Sequence, residues 1–292
     1  MRDFELLYPA TIAEACQALR RHGEGARLLA GGTSLVQFLK EGMYVPEVLV
    51  ALQRIPALDA VVAADGGLRI GAMARLTDLE RHAALRQAAP LLRAALHLVG
   101  NVRVRNVATL GGNLCHADPH ADPPTALVAL RAEVVLGDGA QSRQLPVAEF
   151  LLDYYETALR PGELLQGIIV PRQERGQVSV YRRFTAVSEE DWPCVTLAAV
   201  GSVRGRAPNL ACAALRLVVG ALEPRPRLIA GIDELLPLEA GDAARRETLA
   251  ETVMAQLAPV DDLLGSAWYK RQIAGVLARE ALADLFQQGA AP

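Results

Sequence analysis

Two glycine pairs, each set between a short apolar run and a helix-forming segment, constrain this chain more than any other feature. In RLLAGGTSLVQFLK, residues 27–40, a buried strand passes through Gly31 and Gly32 into a helix. In TLGGN, residues 109–113, the same chemistry recurs about 80 residues later. Glycine lets the backbone approach a ligand closely and the amides at a helix start form an anion site, so such a turn can hold a phosphate without a basic residue. A Gly-Gly pair before a helix is equally an ordinary turn, and both pairs also read as parts of helix caps. Neither is a Walker loop, because no Gly-Lys-Ser/Thr follows, and neither is G-x-G-x-x-G. Together, the two turns could clasp the two phosphates of one dinucleotide from opposite sides. Asp118 and Asp122 follow the second turn. A carboxylate there can accept hydrogen bonds from a ribose hydroxyl, although Asp122, standing before Pro-Pro-Thr, would also cap a helix.

The rest of the pattern mixes helices and strands. Residues 10–22 carry Thr11 at an N-cap position, Glu14 three residues on, and apolar positions at helical spacing. Residues 48–52 predict a second short strand, and residues 58–73 a hairpin across Asp65, Gly66 and Gly67. Helices are expected over 76–88, over 90–98 and from about Thr125, with strands over 132–136 and 164–170, the latter stopped by Pro171. Three further strands (178–187, 194–204, 211–220) are followed only by helix, including 243–257 and 266–286. Boundaries fall near residues 57 and 173.

Composition narrows the function classes. A chain of 292 residues with 51% hydrophobic and 22% charged side chains is an ordinary globular protein. Its net charge of −3 offers nucleic acid no basic surface. No apolar run is long enough to span a membrane, and the opening Arg2-Asp3-Phe4-Glu5 is not a secretory leader, so a cytoplasmic protein is expected. The four cysteines are scattered, with no spacing for zinc, an iron–sulfur cluster or a disulfide framework, so a redox centre here has to be an organic cofactor.

Three smaller features have plain readings beside functional ones. His116, Asp118, His120 and Asp122 alternate like metal ligands, but Pro119, Pro123 and Pro124 break the strand that would align them, and no distant fourth ligand is evident. Ser34 has no nucleophile elbow around it. Glu189, Glu190 and Asp191 read as a solvated turn, and Trp192 after them needs either a core pocket or a flat ligand.

The two turns in this order, followed by DPHADPPTAL, resemble the FAD-binding medium subunit of the molybdenum hydroxylases, the family of xanthine dehydrogenase and aerobic carbon monoxide dehydrogenase. The resemblance runs over almost the whole chain, through FELLYPATIAEA, AGGTSL, PEVLV, RNVATLGGN, LRPGELL, YRRFTAVSEEDWPCV and SAWYKR. It implies an α+β fold in which two α/β subdomains, residues 1–57 and 58–173, grip FAD, while residues 174–292 form an antiparallel sheet with a helical bundle. It places one pyrophosphate loop on Ala30, Gly31, Gly32, Thr33 and Ser34 with Leu35 behind it, and the other on Thr109, Leu110, Gly111, Gly112 and Asn113. It puts an acidic adenosine-side contact on Asp122, an apolar contact on Leu165 and a residue facing the flavin ring on Trp192. Some members carry a lysine directly after the Phe of the third domain, whereas here Phe184 is followed by Thr185.

The resemblance further implies that substrate chemistry belongs to a large molybdenum cofactor subunit and that electrons arrive through a small subunit with two [2Fe–2S] clusters. The assembly implied is a dimer of heterotrimers. This chain would need no catalytic acid or base of its own. The alternatives are a stand-alone flavin oxidoreductase of the same fold and a scaffold subunit without flavin.

Overall fold

The computed structural model describes residues 2–64, 66–206 and 209–290, so Asp65 of the expected hairpin turn lies outside the described residues. Three buried cores organise the chain. The first belongs to a parallel sheet in which Val48–Ala51, buried at every residue, lies between Glu5–Leu7 and Ala26–Leu29. Its strands run parallel because helices, not tight turns, carry the chain back across the sheet. One of these is Ile12–His22, whose start is fixed reciprocally: Thr11 Oγ1 accepts from the Glu14 amide at 3.1 Å, and Glu14 Oε2 accepts from the Ala10 amide at 2.8 Å.

The second core lies under an antiparallel sheet ordered Val61–Ala64, Gly67–Gly71, Leu164–Pro171, Glu133–Gly137, Ser142–Pro146. The strand Leu164–Pro171, the last of these five in chain order, completes the sheet by inserting between the two hairpins. Short helices pack on it. The single helix expected over 76–88 is two, Leu76–Arg81 and Ala83–Ala88, because His82 between them adopts an extended conformation with ψ 121°.

The third core belongs to the sheet of Gln177–Thr185, Pro193–Arg206 and Asn209–Gly220, covered on one face by the helices Ala243–Gln256 and Ala267–Gly289. The strands Arg227–Leu228 and Leu238–Glu239 also pair with it, where only helix was expected after residue 220. Alternation along Pro193–Arg206 explains how both faces are buried. Leu197 and Ala199 join the third core, whereas Ala198 and Val200 join the second.

What covers that second face is the helix Asp122–Ala129, all eight residues of which are buried. It starts earlier than the expected Thr125. Pro123 and Pro124 occupy its first turn, where an amide would have no intrahelical acceptor, so two donors that would be stranded in the core are simply not there. Thr125 Oγ1 and Thr196 Oγ1 share a buried hydrogen bond of 3.0 Å across the helix–sheet contact, with Gly220 paired opposite Thr196. A Cβ at Gly220 would lie 2.1 Å from Thr125 Oγ1 and 2.6 Å from Thr196 Oγ1.

Gly220→Ala should therefore cost about 1–3 kcal/mol of stability, the usual penalty of overpacking a closed site. Gly241→Ala, where a Cβ meets nothing within 4 Å, should change stability by less than about 0.5 kcal/mol. Denaturant unfolding of the two variants checks the pair, and equal effects would contradict this account of the helix–sheet contact.

Candidate functional site

The two glycine turns lie against each other. A Cβ on Gly31 would stand 2.0 Å from the Val107 carbonyl oxygen and 2.9 Å from Ala108 Cα, so glycine is needed for the first turn to touch the chain entering the second. From the other side, a Cβ on Gly112 would meet Ala30 Cβ at 3.4 Å. Gly32 sits at φ +77°, in the left-handed region. Among the described residues no protein acceptor takes the amides of Gly31, Gly32, Thr33, Ser34 or Leu35, which lead into the helix Leu35–Glu41. Ser34 takes the N-cap position without making a side-chain cap bond. An open cleft of about 480 Å³ over this turn is lined by Gly31, Gly32, Thr33, Val36, Gln37, Lys40 and Val107. Lys40 was not singled out from the sequence. Its spacing from Thr33, two turns along one helical face through Val36 and Gln37, is the signal that could have found it.

The second turn is built differently. Four of its five amides are already used: Leu110 donates to Ala74 O at 3.0 Å, Gly111 to Ala72 O at 2.9 Å, Gly112 to Thr109 Oγ1 at 3.1 Å and Asn113 to Thr109 O at 3.0 Å. Thr109 is thus the N-cap of the helix Leu110–His116. Gly111 is required by packing, since a Cβ there would fall 2.6 Å from Ala72 Cβ. Besides the Thr109 amide, what this turn leaves for a ligand is the Asn113 amide oxygen, which is buried and has no hydrogen-bond partner among the described residues. Of the clasp expected to present amides from both sides, the first turn offers five without a protein acceptor and the second only that of Thr109, among the described residues.

Asp122 is a structural joint. Only 4% exposed, it accepts from Tyr181 Oη at 2.9 Å through Oδ1 and from Arg183 Nη1 at 3.0 Å through Oδ2. The adjoining helix is capped at Ala121 and not by Asp122. Burial pushes the Asp122 carboxyl up to about 6, opposed first by Arg183 and then by Tyr181. The Tyr181 hydroxyl is driven well above its ordinary value by burial and by the neighbouring Asp122. The adenosine-side contact expected at Asp122 thus meets a carboxylate whose oxygens are both engaged. Arg183 also donates to the carbonyls of Leu98, Glu189 and Asp191, which pins the acidic turn ahead of Trp192.

Aromatic rings gather at the far ends of the two turn-initiated helices. Phe38 and His116 have ring centroids 5.4 Å apart, and His116 and Tyr155 5.2 Å. Trp192 is 53% exposed, outside the core, with its ring 5.9 Å from that of His120. A helix of seven residues such as Leu110–His116 is about 10 Å long, so His116 at its end stands roughly that far from the second turn. Leu165 is buried in the second core beside the bulge of its strand, and Thr185 ends the strand Gln177–Thr185 opposite Pro193. Among the described residues no group of three or more His, Cys, Asp and Glu side chains is placed to hold a metal ion. Free amides at one end and aromatic rings at the other fit a ligand that carries an anionic group and a flat ring.

Comparison with known proteins agrees with this geometry. Residues 2–173 match the family described as FAD binding domain in molybdopterin dehydrogenase, and residues 179–285 the CO dehydrogenase flavoprotein C-terminal domain. The carbon monoxide dehydrogenase medium chain of Hydrogenophaga pseudoflava is 32% identical over 96% of each chain. The glyceraldehyde dehydrogenase medium chain of Sulfolobus acidocaldarius is 27% identical over 97% of this chain and 98% of its own. In the crystal structure of quinoline 2-oxidoreductase from Pseudomonas putida 86, one chain superposes with a TM-score of 0.92 at 27% identity, with 99% of each chain covered. A chain whose fold, turns and full length agree with these proteins belongs to the family of FAD-binding medium subunits of the molybdenum hydroxylases.

Proposed function

We propose that this chain binds FAD and serves as the electron outlet of a cytoplasmic complex. Its partners are a large molybdenum cofactor subunit and a small subunit with two [2Fe–2S] clusters, assembled as a dimer of heterotrimers. The observation that carries the reading is the row of five amides from Gly31 to Leu35 with no protein acceptor among the described residues, held by Gly31 against Val107. Such a row holds a pyrophosphate through backbone donors, and Lys40 on the cleft wall adds a positive charge. On the second side the Asn113 amide oxygen accepts a hydrogen bond from a hydroxyl of the cofactor, since the pyrophosphate itself has none to donate. Trp192 covers the flavin ring and limits its contact with solvent and oxygen, and Arg183 positions the turn that carries it.

FAD, when bound, supplies the exchange between one-electron carriers and a two-electron acceptor. The chain's own residues bind, orient and shield, and none acts as general acid or base on the organic substrate. The relatives' names cover carbon monoxide, glyceraldehyde and quinoline. This spread supports a medium subunit that is independent of the substrate oxidised elsewhere in the complex.

The cofactor released from the purified protein should be FAD, and FMN alone on chromatography would contradict the two-phosphate reading. Gly31→Ala should abolish flavin binding, measured as loss of absorbance near 450 nm, because its Cβ separates the two turns. Asn113→Ala should weaken FAD binding about tenfold, the worth of one buried hydrogen bond, while leaving the melting temperature of the flavin-free protein unchanged.

The isolated, FAD-loaded chain should not oxidise the complex's substrate, although it should pass electrons to dyes. Substrate oxidation by the single chain at the rate of the complex would show that the substrate site lies here after all.

A further inference from the structure

A second cleft, of about 550 Å³, shares no residue with the one over the glycine turns. One wall is the end of the helix Asp122–Ala129 and the chain leaving it, through Val128, Arg131 and Ala132, and the other is residues 223–228 of the third unit. An opening of this size accepts a small molecule.

Arg131 stands where an arginine is a costly choice. The helix closes with the Arg131 amide donating to Val128 O at 3.0 Å and the Ala132 amide to Leu127 O at 2.9 Å. This pairing puts Arg131 itself in the left-handed region, at φ +56°. Glycine adopts that conformation without strain, as Gly42 does after Leu35–Glu41 at φ +76°. No contact of the Arg131 side chain offsets the strain. Among the described residues it makes no hydrogen bond or ion pair, whereas nearby Arg216 donates to Ala129 O at 2.8 Å and Arg227 to Glu223 Oε2 at 2.6 Å.

The opposite wall is held rigid. Glu223, only 9% exposed, takes Arg227 on Oε2 and the Ala258 amide, at 2.9 Å, on Oε1. Arg225 follows Pro224 and precedes Pro226, which restricts its backbone to extended conformations. Its side chain, like that of Arg131, has no hydrogen bond or ion pair among the described residues. Since Arg227 neutralises Glu223, the charges left in the cleft are Arg131 and Arg225 against Glu133, which pairs with neither. Arg216 adds to them. Burial and then Arg131 lower its affinity for a proton, with Glu174 as the smaller opposing charge, so two guanidiniums stand close enough to repel. Three guanidiniums, Arg131, Arg216 and Arg225, against the one carboxylate of Glu133 leave two positive charges. A phosphate monoester complements them, because it carries about 1.5–2 negative charges near neutrality and accepts guanidinium bonds in pairs.

We propose that this cleft binds a small organic phosphate, with its phosphoryl group on Arg131 and Arg225 and its apolar body against Val128, Ala132 and Leu228. The site is independent of the flavin reading, and its ligand touches the second and third units together.

Phenyl phosphate is the probe, titrated calorimetrically into the full purified chain. It should bind saturably, and about tenfold or more tighter than inorganic phosphate, which lacks the ring, or phenol, which lacks the charge. Arg131→Gly and Arg225→Ala should each weaken it about tenfold or more, the worth of a charged hydrogen-bond pair. Without probe, Arg131→Gly should melt no lower than the parent, because glycine relieves the left-handed strain. A lower melting temperature would make this arginine part of the fold and overturn its assignment to a ligand. Gly31→Ala, which disables the first turn, should leave phenyl phosphate binding intact, so failure here and failure of FAD binding are distinguishable. The proposal is overturned if phenyl phosphate does not saturate, or if inorganic phosphate or phenol binds as tightly. It is equally overturned if folded Arg131→Gly and Arg225→Ala bind like the parent, or if binding is lost in folded Gly31→Ala.

Discussion

The burial of one short helix between two sheets holds the molecule together. Asp122–Ala129 has no solvent-facing side, so every polar group on it must be matched inside the protein. Two prolines remove amides from its first turn, Thr125 bonds to Thr196, and Arg216 donates to the Ala129 carbonyl at 2.8 Å at its far end. Asp122 at the start is neutralised by Arg183, with Tyr181 as a second donor. Removing one partner of such a buried pair strands the other charge, which costs about 3–5 kcal/mol. Because Arg183 also grips the turn before Trp192, the same pair connects the interior of the second sheet to the surface where the rings gather.

Much of this was legible in the residues because it is local. Thr109 reads as a cap since helix-start chemistry operates over three residues, and the long alternating strands read from their period. The α+β class and the family followed from motifs of that length. What was not legible depends on distance in sequence. Nothing near Asp122 announces that Tyr181 and Arg183, 59 and 61 residues on, will claim its oxygens. The amides of Leu110 and Gly111 look as free as those of Gly31 and Gly32 until Ala72 and Ala74 are seen to accept from them. Strands of two residues, such as Arg227–Leu228, are too short for any period to show.

The glycines illustrate why one residue type carries two meanings. Gly31 and Gly111 both exclude a side chain through close backbone approach, yet Gly31 approaches the other turn while Gly111 approaches its own sheet. A motif records that a Cβ is forbidden and is silent on what forbids it. The first turn therefore combines close approach with a row of donors free for a ligand.

The contact of Gly31 with Val107 also has a thermodynamic meaning. The first core contains eight buried residues, one of which, Leu164, is borrowed from the second sheet. So small a nucleus contributes little independent stability. A ligand held across the two turns adds its binding free energy to their association, in proportion to the logarithm of its concentration over Kd. The cofactor then acts as a structural clamp as well as a redox group, and the parallel N-terminal sheet is the part of the molecule whose seating on the rest is set by cofactor supply.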